Sequence, residues 1–434
     1  MTNMTKKTLM TGFMALLPLL GFSQSENNIS SPTEGVITYD YLGENGIQQT
    51  SIEMLAKFMQ YAKNIYTTAG TNSQGTSVGY FKANSAGQNN EDGVRTNADL
   101  AMLCAFVYRY GQKHNVTLPS GMTYASVLNM AKGAIRWAYS THRSTQLKTC
   151  TNNAYWGSSG STYVWESSLW TESLGFATWL LQDELTATDH QQIKKVICAE
   201  ANHELTRNVP TGYAGDTKAE ENGWETNVLS IACALYPDEA NADAWYAKMQ
   251  SFAFNCYSML SDATNETLVD GKPAKEWYVG QNLYDDYTLQ NHNYFHTSYQ
   301  NVVIQELCES YLVLKCMQKN GKYPLSETLL WNQKPMFDAV LKDLALADGE
   351  LAMPTGNDWS MFLYDQLPAF AAMATIFQDN EALMLENLAL KYTKARQSTT
   401  SDGSWMLNSD IGPRRMGVTG HRVMIPTSSM SISQ

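Results

Sequence analysis

The chain of 434 residues is 44% apolar and 17% charged, which is typical of a globular protein. Its formal net charge of −12 argues against nucleic acid or an anionic membrane surface as a partner, because an acidic chain does not neutralise phosphates well. The 11 Trp and 24 Tyr are numerous, and exposed aromatic rings can stack on flat ligands such as sugars. The length fits two or three average domains, or one large all-α domain.

The N-terminal segment predicts export. Two lysines precede an apolar run over residues 9–22, and small residues that suit cleavage follow it. The run is too short to span a bilayer, and no Cys lies near the cleavage point to carry a lipid anchor. We therefore predict a signal peptide over residues 1–23, a flexible linker over 24–35 and a single catalytic domain over 36–434, located in the periplasm or secreted.

The seven cysteines predict neither a structural zinc site nor a disulfide framework. None belongs to a Cys-x-x-Cys pair, and the count is odd. Most lie inside apolar helical runs, where a thiol behaves as a small hydrophobic group. We expect buried thiols.

Helical periodicity dominates the chain after the N-terminal segment, and strand-like alternation is almost absent. The main predicted helices cover residues 52–65, 100–110 (with Asn97 as the N-cap), 124–139, 164–181, 188–205, 220–235, 242–260, 298–317, 326–346, 362–377 and 381–395. Helical hairpins without βαβ alternation or a visible repeat of fixed period predict an all-α fold, an (α/α) toroid of six or seven helix hairpins. Long loops are expected to shape a cleft; they cover residues 70–96, 149–162, 210–218, 262–297, 348–360 and 399–420.

The stretch 290–300, QNHNYFHTSYQ, is the densest in residues that can do chemistry. Thr297 or Ser298 is predicted to cap the helix that follows, which places Tyr299 in its first turn, where the helix dipole favours a phenolate. An amide, an imidazole and a phenol suit removal of a proton next to a carbonyl and protonation of a leaving oxygen. The alternative is a polar loop with a satisfied histidine and a buried tyrosine. The candidate residues are Asn291, His292, Tyr294, His296 and Tyr299.

A second dense stretch, 219–227, reads AEENGWETN and opens a predicted helix. Acidic residues in a first helical turn are expected from the dipole alone. The asparagines and the tryptophan among them suggest a polar group beside an aromatic platform, which suits a sugar. The candidate residues are Glu221, Asn222, Trp224 and Asn227.

Further candidates for substrate binding are scattered along the chain. Arg95 can clamp a carboxylate with its planar guanidinium, or simply lie on the surface. Glu166 stands in a Trp-rich helix, where a carboxylate is costly to bury. The complete set is Arg95, Asn97, Glu166, Asn357 in a Gly/Pro-punctuated loop, and Arg415 in the main basic cluster.

Two motifs carry a resemblance to a known family. At 220–224 (EENGW), 291–294 (NHNY) and Tyr299, the chain resembles secreted polysaccharide lyases of the α/α-toroid class, and most closely polysaccharide lyase family 38, the glucuronan and alginate lyases. The resemblance covers these motifs and the layout of the helices. It implies β-elimination on a 1,4-linked uronic acid polymer, with an anionic polysaccharide as the partner, no metal or other cofactor, and a monomer or weak oligomer.

Such a lyase neutralises the uronate carboxylate, removes the C5 proton and protonates the departing O4. Tyr299 would act as the acid, or as both acid and base, while His292 would act as the base or hold Tyr299. Asn291, Arg95 or a protonated Glu221 would neutralise the carboxylate. This chain has no Arg beside the His/Tyr motif, so binding of the carboxylate must also use a distant segment.

Two other functions fit the same residues. A glycoside hydrolase needs two carboxylates flanking the sugar bond, and Glu221 with Glu166, Glu172 or Asp358 would supply them. A non-catalytic glycan-binding protein would use only the aromatic platforms. A toroid fold does not decide between these functions.

Overall fold

The computed structural model describes residues 43–82, 85–158, 164, 166–356, 358, 366–405 and 412–430, without the side chains of residues 43–45, 413–415 and 425–430. By its internal contacts the chain divides into residues 1–45 and residues 46–434, and the second unit is the subject below. The predicted signal peptide and linker lie outside the described residues. In the part that the structure describes, no helix combines the length and the apolar character needed to cross a membrane.

The described chain is mostly helical, which confirms the prediction of an all-α protein. Its helices are α1 Gly43–Ile65, α2 Glu91–Phe106, α3 Tyr124–Ser140, α4 Glu166–Leu180, α5 Ala187–Glu204, α6 Ala219–Leu235, α7 Ala242–Cys256, α8 Ala274–Trp277, α9 Thr297–Leu312, α10 Gln333–Met336, α11 Gln366–Ile376, α12 Asn380–Gln397 and α13 Pro413–Met430. Turns of π-helix, Val107–Gly111, Val313–Met317 and Phe337–Leu341, extend α2, α9 and α10. The seven cysteines all belong to the described residues, and none forms a disulfide.

Short antiparallel hairpins interrupt the helices. Strand β1 (Tyr66–Thr71) pairs with β2 (Ser77–Phe81), β3 (Leu268–Val269) with β4 (Lys272–Pro273), and β5 (Gln290–Asn291) with β6 (Tyr294–Phe295). The last two hairpins lie in the segment 262–297, which the sequence predicted as a long loop. Pairs of two-residue strands are too short to give a recognisable alternation, so the sequence pattern could not separate them from a loop.

Two predicted helix caps are wrong. Helix α2 begins at Glu91, where Asn90 accepts a hydrogen bond from the backbone N–H of Gly93 at 3.1 Å, so the cap is Asn90 and Asn97 lies inside the helix. Helix α9 begins one residue earlier than a Thr297 cap would allow, and His296 occupies the N-cap position. The predicted place of Tyr299 in the first turn of α9 is nevertheless confirmed.

Two segments differ from the predicted helices. The helix predicted over residues 326–346 is broken into short pieces, because Asn332 takes a left-handed conformation with φ of +56° between two of them. Helix α13 begins inside the segment 399–420, which was predicted as a loop, and occupies its last eight residues. Pro413 is its first residue, a position that proline favours in helices, and this signal was missed.

Six of the helices pack against one another in succession. Helix α2 contacts α4, α4 contacts α6, α6 contacts α9, α9 contacts α11, α11 contacts α13, and α13 contacts α2. Helices α3, α5, α7 and α12 each pack on the member that precedes them in the chain, namely α2, α4, α6 and α11.

Helices α4, α6 and α9 run parallel. Ser168 near the start of α4 donates to Glu225 of α6 at 3.0 Å, and further along both helices Gly175 lies against Ile231. Between α6 and α9, Gly223 lies against Glu306, and further along both helices Ser230 hydrogen-bonds Ser310 at 3.2 Å. Residue numbers thus increase in the same direction along α6 and α9. The N-termini of these three helices therefore point toward the same end of the molecule.

Candidate functional site

The candidate site is built on the β5–β6 hairpin, directly before α9. His292 and Asn293 form its two-residue turn with φ of +53° and +68°, as in a type I′ turn. A left-handed conformation costs a histidine free energy, so neighbouring contacts must hold it. The backbone N–H of Asn293 donates to the Gly215 carbonyl at 2.8 Å, and that of Thr217 donates to the Gln290 carbonyl at 2.7 Å. The loop before α6 thus fixes the hairpin.

Asp358, His292 and Tyr299 form a chain of polar contacts. Asp358 Oδ2 hydrogen-bonds Nδ1 of His292, and Tyr299 Oη lies 3.5 Å from Nε2 of the same ring. Asp358 Oδ1 is also 3.3 Å from Nε2 of His296. Partial burial raises the pKa of Asp358, but hydrogen bonds from His292, His296 and Tyr294 outweigh it and lower the pKa to about 2. An ionised Asp358 keeps the proton of His292 on Nδ1, which leaves Nε2 to accept one from Tyr299.

The ring of His296 is fixed between two tyrosines. It stacks on Tyr294 with centroids 4.9 Å apart and planes at 18°, and it meets Tyr299 edge-on at 4.6 Å. Burial lowers the pKa of His296 despite the nearby Asp358 carboxylate. Burial raises the pKa of Tyr294, and Asp358 adds to this. His296 is therefore a neutral and rigid neighbour of Tyr299 at neutral pH.

Asn291 faces acidic side chains from the loop before α6 and from its first turn. Its side-chain amide donates to Glu220 Oε1 at 3.0 Å and lies 3.4 Å from Asp216 Oδ1. Burial raises the pKa of Glu220 well above its usual range, which favours the protonated carboxyl. Lys218 binds Asp216 at 2.8 Å and Glu221 at 2.7 Å. Lys218 thus brings a positive charge close to Asn291. Lys218 was not among the residues predicted for the site.

The loop that carries Asp358 is tied to the same hairpin. Thr355 Oγ1 donates to the Phe295 carbonyl at 2.5 Å, and Thr297 Oγ1 donates to the Ala352 carbonyl at 3.3 Å. The sequence suggested Asp358 as part of a loop lining the cleft and as a carboxylate for a hydrolase, and no spacing in the sequence links it to His292. Its place in a Gly/Pro-punctuated loop was the one available signal.

Several predicted site residues lie in the interior instead. Asn97 is fully buried and donates to the Ala134 carbonyl of α3 at 3.0 Å. Asn227 is fully buried between α6 and α9, where it hydrogen-bonds Glu306 and Ser310. Both side chains hold helices together, which explains why polar residues occur in these apolar runs.

Two more predicted residues on α6 are also enclosed. Asn222 donates to the backbone carbonyls of Pro210 and Lys218 at 3.0 and 2.9 Å, so its amide fixes the turn that begins the helix. Trp224 is buried, with 8% of its surface exposed, and offers little of a platform to a sugar.

Arg95 and Glu166 take other positions. Arg95 binds Glu91 at 2.9 Å and lies 3.8 Å from Asp99, within α2. Glu166 is the first residue of α4 and is partly exposed. Asn357 and the side chain of Arg415 lie outside the described residues.

Among the described residues, two groups of side chains have the composition of a metal site, although no metal site was predicted from the sequence. One ligand atom from each of His292, His296 and Asp358 lies within 4.8 Å of the others, and the same holds for Glu172, Glu309 and His421. The first group is open to solvent through two of its members, and the second is buried. Imidazole and carboxylate ligands suit a zinc-like ion.

The buried group accounts for polar residues inside three packed helices, Glu172 on α4, Glu309 on α9 and His421 on α13. Burial, together with the neighbouring Glu309 and Glu306 carboxylates, raises the pKa of Glu172 well above its usual range. Burial lowers the pKa of His421, but Glu309 at 2.7 Å outweighs it and the pKa rises. The surroundings of Glu172 therefore favour its protonated form, and the side chain is too enclosed to serve as a hydrolase carboxylate.

Comparison with known proteins gave no relative from which a function could be transferred. No protein-family model matches the chain, and no match was found among curated proteins or among solved structures.

Proposed function

We propose that the protein is a polysaccharide lyase that cleaves a 1,4-linked uronic acid polymer, such as polymannuronate or glucuronan, by β-elimination. The observation that carries the proposal is the contact chain from Asp358 through His292 to Tyr299. An oriented imidazole next to a phenol in the first turn of a helix is a general means of activating that phenol.

In the proposed reaction, Tyr299 gives its proton to Nε2 of His292 and becomes a phenolate. The phenolate removes the C5 proton of the uronate, the C4–O4 bond breaks, and a C4–C5 double bond forms. Tyr299 then donates a proton to the departing O4, and His292 returns its proton to Tyr299. Asp358 balances the charge of the imidazolium during this sequence, as the acidic member of a catalytic triad does.

The uronate carboxylate needs a partner that supplies positive charge or hydrogen bonds. Asn291 would supply one by exchanging its long contact with Asp216 for the substrate, and Lys218 lies behind that contact. Burial raises the pKa of Glu220, which disfavours a negative charge at this position. These groups replace the arginine that the motif lacks.

We further propose that α2, α4, α6, α9, α11 and α13 are the inner helices of an (α/α) toroid. Their successive contacts, in which α13 packs against α2, support this arrangement, as does the parallel course of α4, α6 and α9. The hairpin and Asp358 would then lie at the end where the inner helices begin. We also propose export to the periplasm or the medium, from the apolar run near the N-terminus.

The test is the ultraviolet absorbance of the new double bond while the purified protein acts on mannuronan, guluronan, glucuronan and hyaluronan. Activity on at least one polymer should fall by at least about 100-fold in Tyr299→Phe, since general acid–base groups contribute this much. Tyr287→Phe is the matched control, because Tyr287 lies in the loop before the hairpin and no catalytic role is proposed for it.

The outcomes separate the candidate functions. New reducing ends without ultraviolet absorbance would contradict elimination and favour a glycoside hydrolase. Binding of a polymer without any cleavage would favour a glycan-binding protein. Full activity in Tyr299→Phe would remove Tyr299 from the mechanism even if elimination occurs.

A further inference from the structure

The β5–β6 hairpin offers the ligands of a metal site as well as a proton-transfer chain. We propose that His292, His296 and Asp358 bind one divalent transition-metal ion of the zinc class, and that the bound ion blocks proton transfer from Tyr299. Two histidines and a carboxylate, with one position left open, are the ligand set of many accessible zinc sites.

The separations fit one ion. Zinc holds imidazole nitrogen and carboxylate oxygen at about 2.0–2.2 Å, so adjacent ligand atoms of a tetrahedral site lie about 3.3–3.6 Å apart. Nε2 of His296 is 3.3 Å from Asp358 Oδ1, and the three ligand atoms lie within 4.8 Å of one another. The rings of His292 and His296 have centroids 5.7 Å apart with planes at 86°, so they can approach one ion without clashing.

The site combines a rigid ligand with adjustable ones. His296 is 1% exposed and fixed by its packing between two tyrosines, whereas the His292 and Asp358 side chains are 43% and 42% exposed. The exposed pair can rotate onto an ion and leaves it a path from solvent.

Metal binding changes which nitrogen of His292 carries the proton. When Asp358 accepts the Nδ1 proton, Nε2 is free to accept the proton of Tyr299 at 3.5 Å. A neutral imidazole bound to metal through Nδ1 carries its proton on Nε2, which then donates instead of accepting. His292 then no longer accepts the proton of Tyr299. The metal site does not depend on the proposed lyase activity, whereas the inhibition rests on it.

Binding is tested first, by calorimetric titration of the untagged, chelator-treated protein with zinc chloride. The measurements use a Cys316→Ser background, because Cys316 is exposed and its thiol would compete for zinc. We expect one site whose affinity falls by at least about tenfold in His292→Ala and in Asp358→Asn, since each removes a ligand. His190→Ala, a change of a histidine on α5, should leave the affinity unchanged.

Activity is tested second, with and without one equivalent of bound zinc. Zinc should lower the rate of elimination by at least about 100-fold, which is the scale of a lost general base. Tyr299→Phe should be inactive and should still bind zinc with the affinity of the parent protein. This variant separates the two proposals, because it removes the phenol and keeps all three ligands.

The proposed metal site would be overturned if the protein did not bind zinc. It would also be overturned if His292→Ala and Asp358→Asn bound zinc with the affinity of the parent protein. Zinc binding at these ligands without loss of activity would overturn the inhibition. Zinc binding as expected in a protein that shows no elimination on any polymer would uphold the site and count against the proposed lyase function alone.

Discussion

Asp358 acquires its proposed role entirely from its neighbours. It stands in a loop 66 positions after His292, yet it hydrogen-bonds that imidazole and lies 3.3 Å from a second one. These partners lower its pKa to about 2 against the effect of burial, so the carboxylate is ionised throughout the neutral range. An ionised carboxylate holds the imidazole in one tautomer and stabilises its protonated form.

The Asp358→Asn substitution should therefore impair catalysis and spare the fold. The amide cannot balance an imidazolium, and by donating to Nδ1 it can impose the wrong tautomer. We expect kcat/KM for elimination to fall by at least about 100-fold, and by up to about 10⁴-fold as when the aspartate of a catalytic triad becomes asparagine. Steady-state kinetics on the preferred polymer measure this.

Asp348→Asn is the matched control, since Asp348 is an exposed residue of the same loop region. It should keep the activity of the parent protein. An Asp358→Asn variant with unchanged kcat/KM would show that Asp358 does not orient His292 during the reaction.

At the scale of single elements, α12 carries an unexpected ionisable group. Glu386 is fully buried in this helix, and burial raises its pKa from 4.5 to about 8. The folded protein thus keeps a proton on Glu386 at pH values where the unfolded chain has lost it. The contribution of this proton to stability is complete below pH 4.5 and is lost as the pH rises through about 8.

Replacing Glu386 with glutamine should remove this dependence. Between pH 5 and 8 the free energy of unfolding of the parent protein should fall by about 1 kcal/mol per pH unit more steeply than that of Glu386→Gln. The variant should consequently be the more stable of the two at pH 8. Urea denaturation at several pH values measures both slopes.

Glu381→Gln, on the exposed face at the start of the same helix, serves as the control and should keep the parent slope. Equal slopes in Glu386→Gln and the parent protein would mean that Glu386 is ionised in the folded state, against the effect expected of its burial.

At the scale of the whole molecule, α2, α4, α6, α9, α11 and α13 pack on one another in succession, and glycines lie at some of these contacts. A Cβ at Gly175 of α4 would lie 2.4 Å from Ile231 Cγ2 of α6, so this contact has no room for a methyl group. A Cβ at Gly417 of α13 would lie 3.4 Å from Asp99 of α2, which is ordinary contact. The two glycines therefore test two neighbouring contacts of the same helix arrangement.

We expect Gly175→Ala to lower the free energy of unfolding by about 1 kcal/mol or more, because overpacking outweighs the gain in helix propensity. Gly417→Ala should leave stability unchanged or raise it by about 0.5 kcal/mol, since the propensity gain is then unopposed. Denaturant unfolding of the two variants measures the difference. An equal effect of both changes would contradict the close packing of α4 on α6.

The sequence by itself determined the helical class and the approximate position of most helices, because the 3.6-residue period of apolar residues is a local property. It also placed Tyr299 in the first turn of its helix and grouped that residue with Asn291, His292, Tyr294 and His296, since all five stand within eleven positions. Helix ends were less certain, as the caps of α2 and α9 show, because several residues near a helix start can accept the same backbone hydrogen bonds.

Only the tertiary structure decided which distant groups meet the hairpin. It brought Asp358 to His292 and Glu220 to Asn291, and it buried Asn97 and Asn227 between helices. These pairings depend on how helices and loops pack, and packing joins residues whose separation in the chain carries no periodic signal. Those contacts determine which group accepts the proton of Tyr299, how each carboxyl is charged and which side chains can bind a metal. The pKa of a group and its ability to coordinate depend on its three-dimensional surroundings.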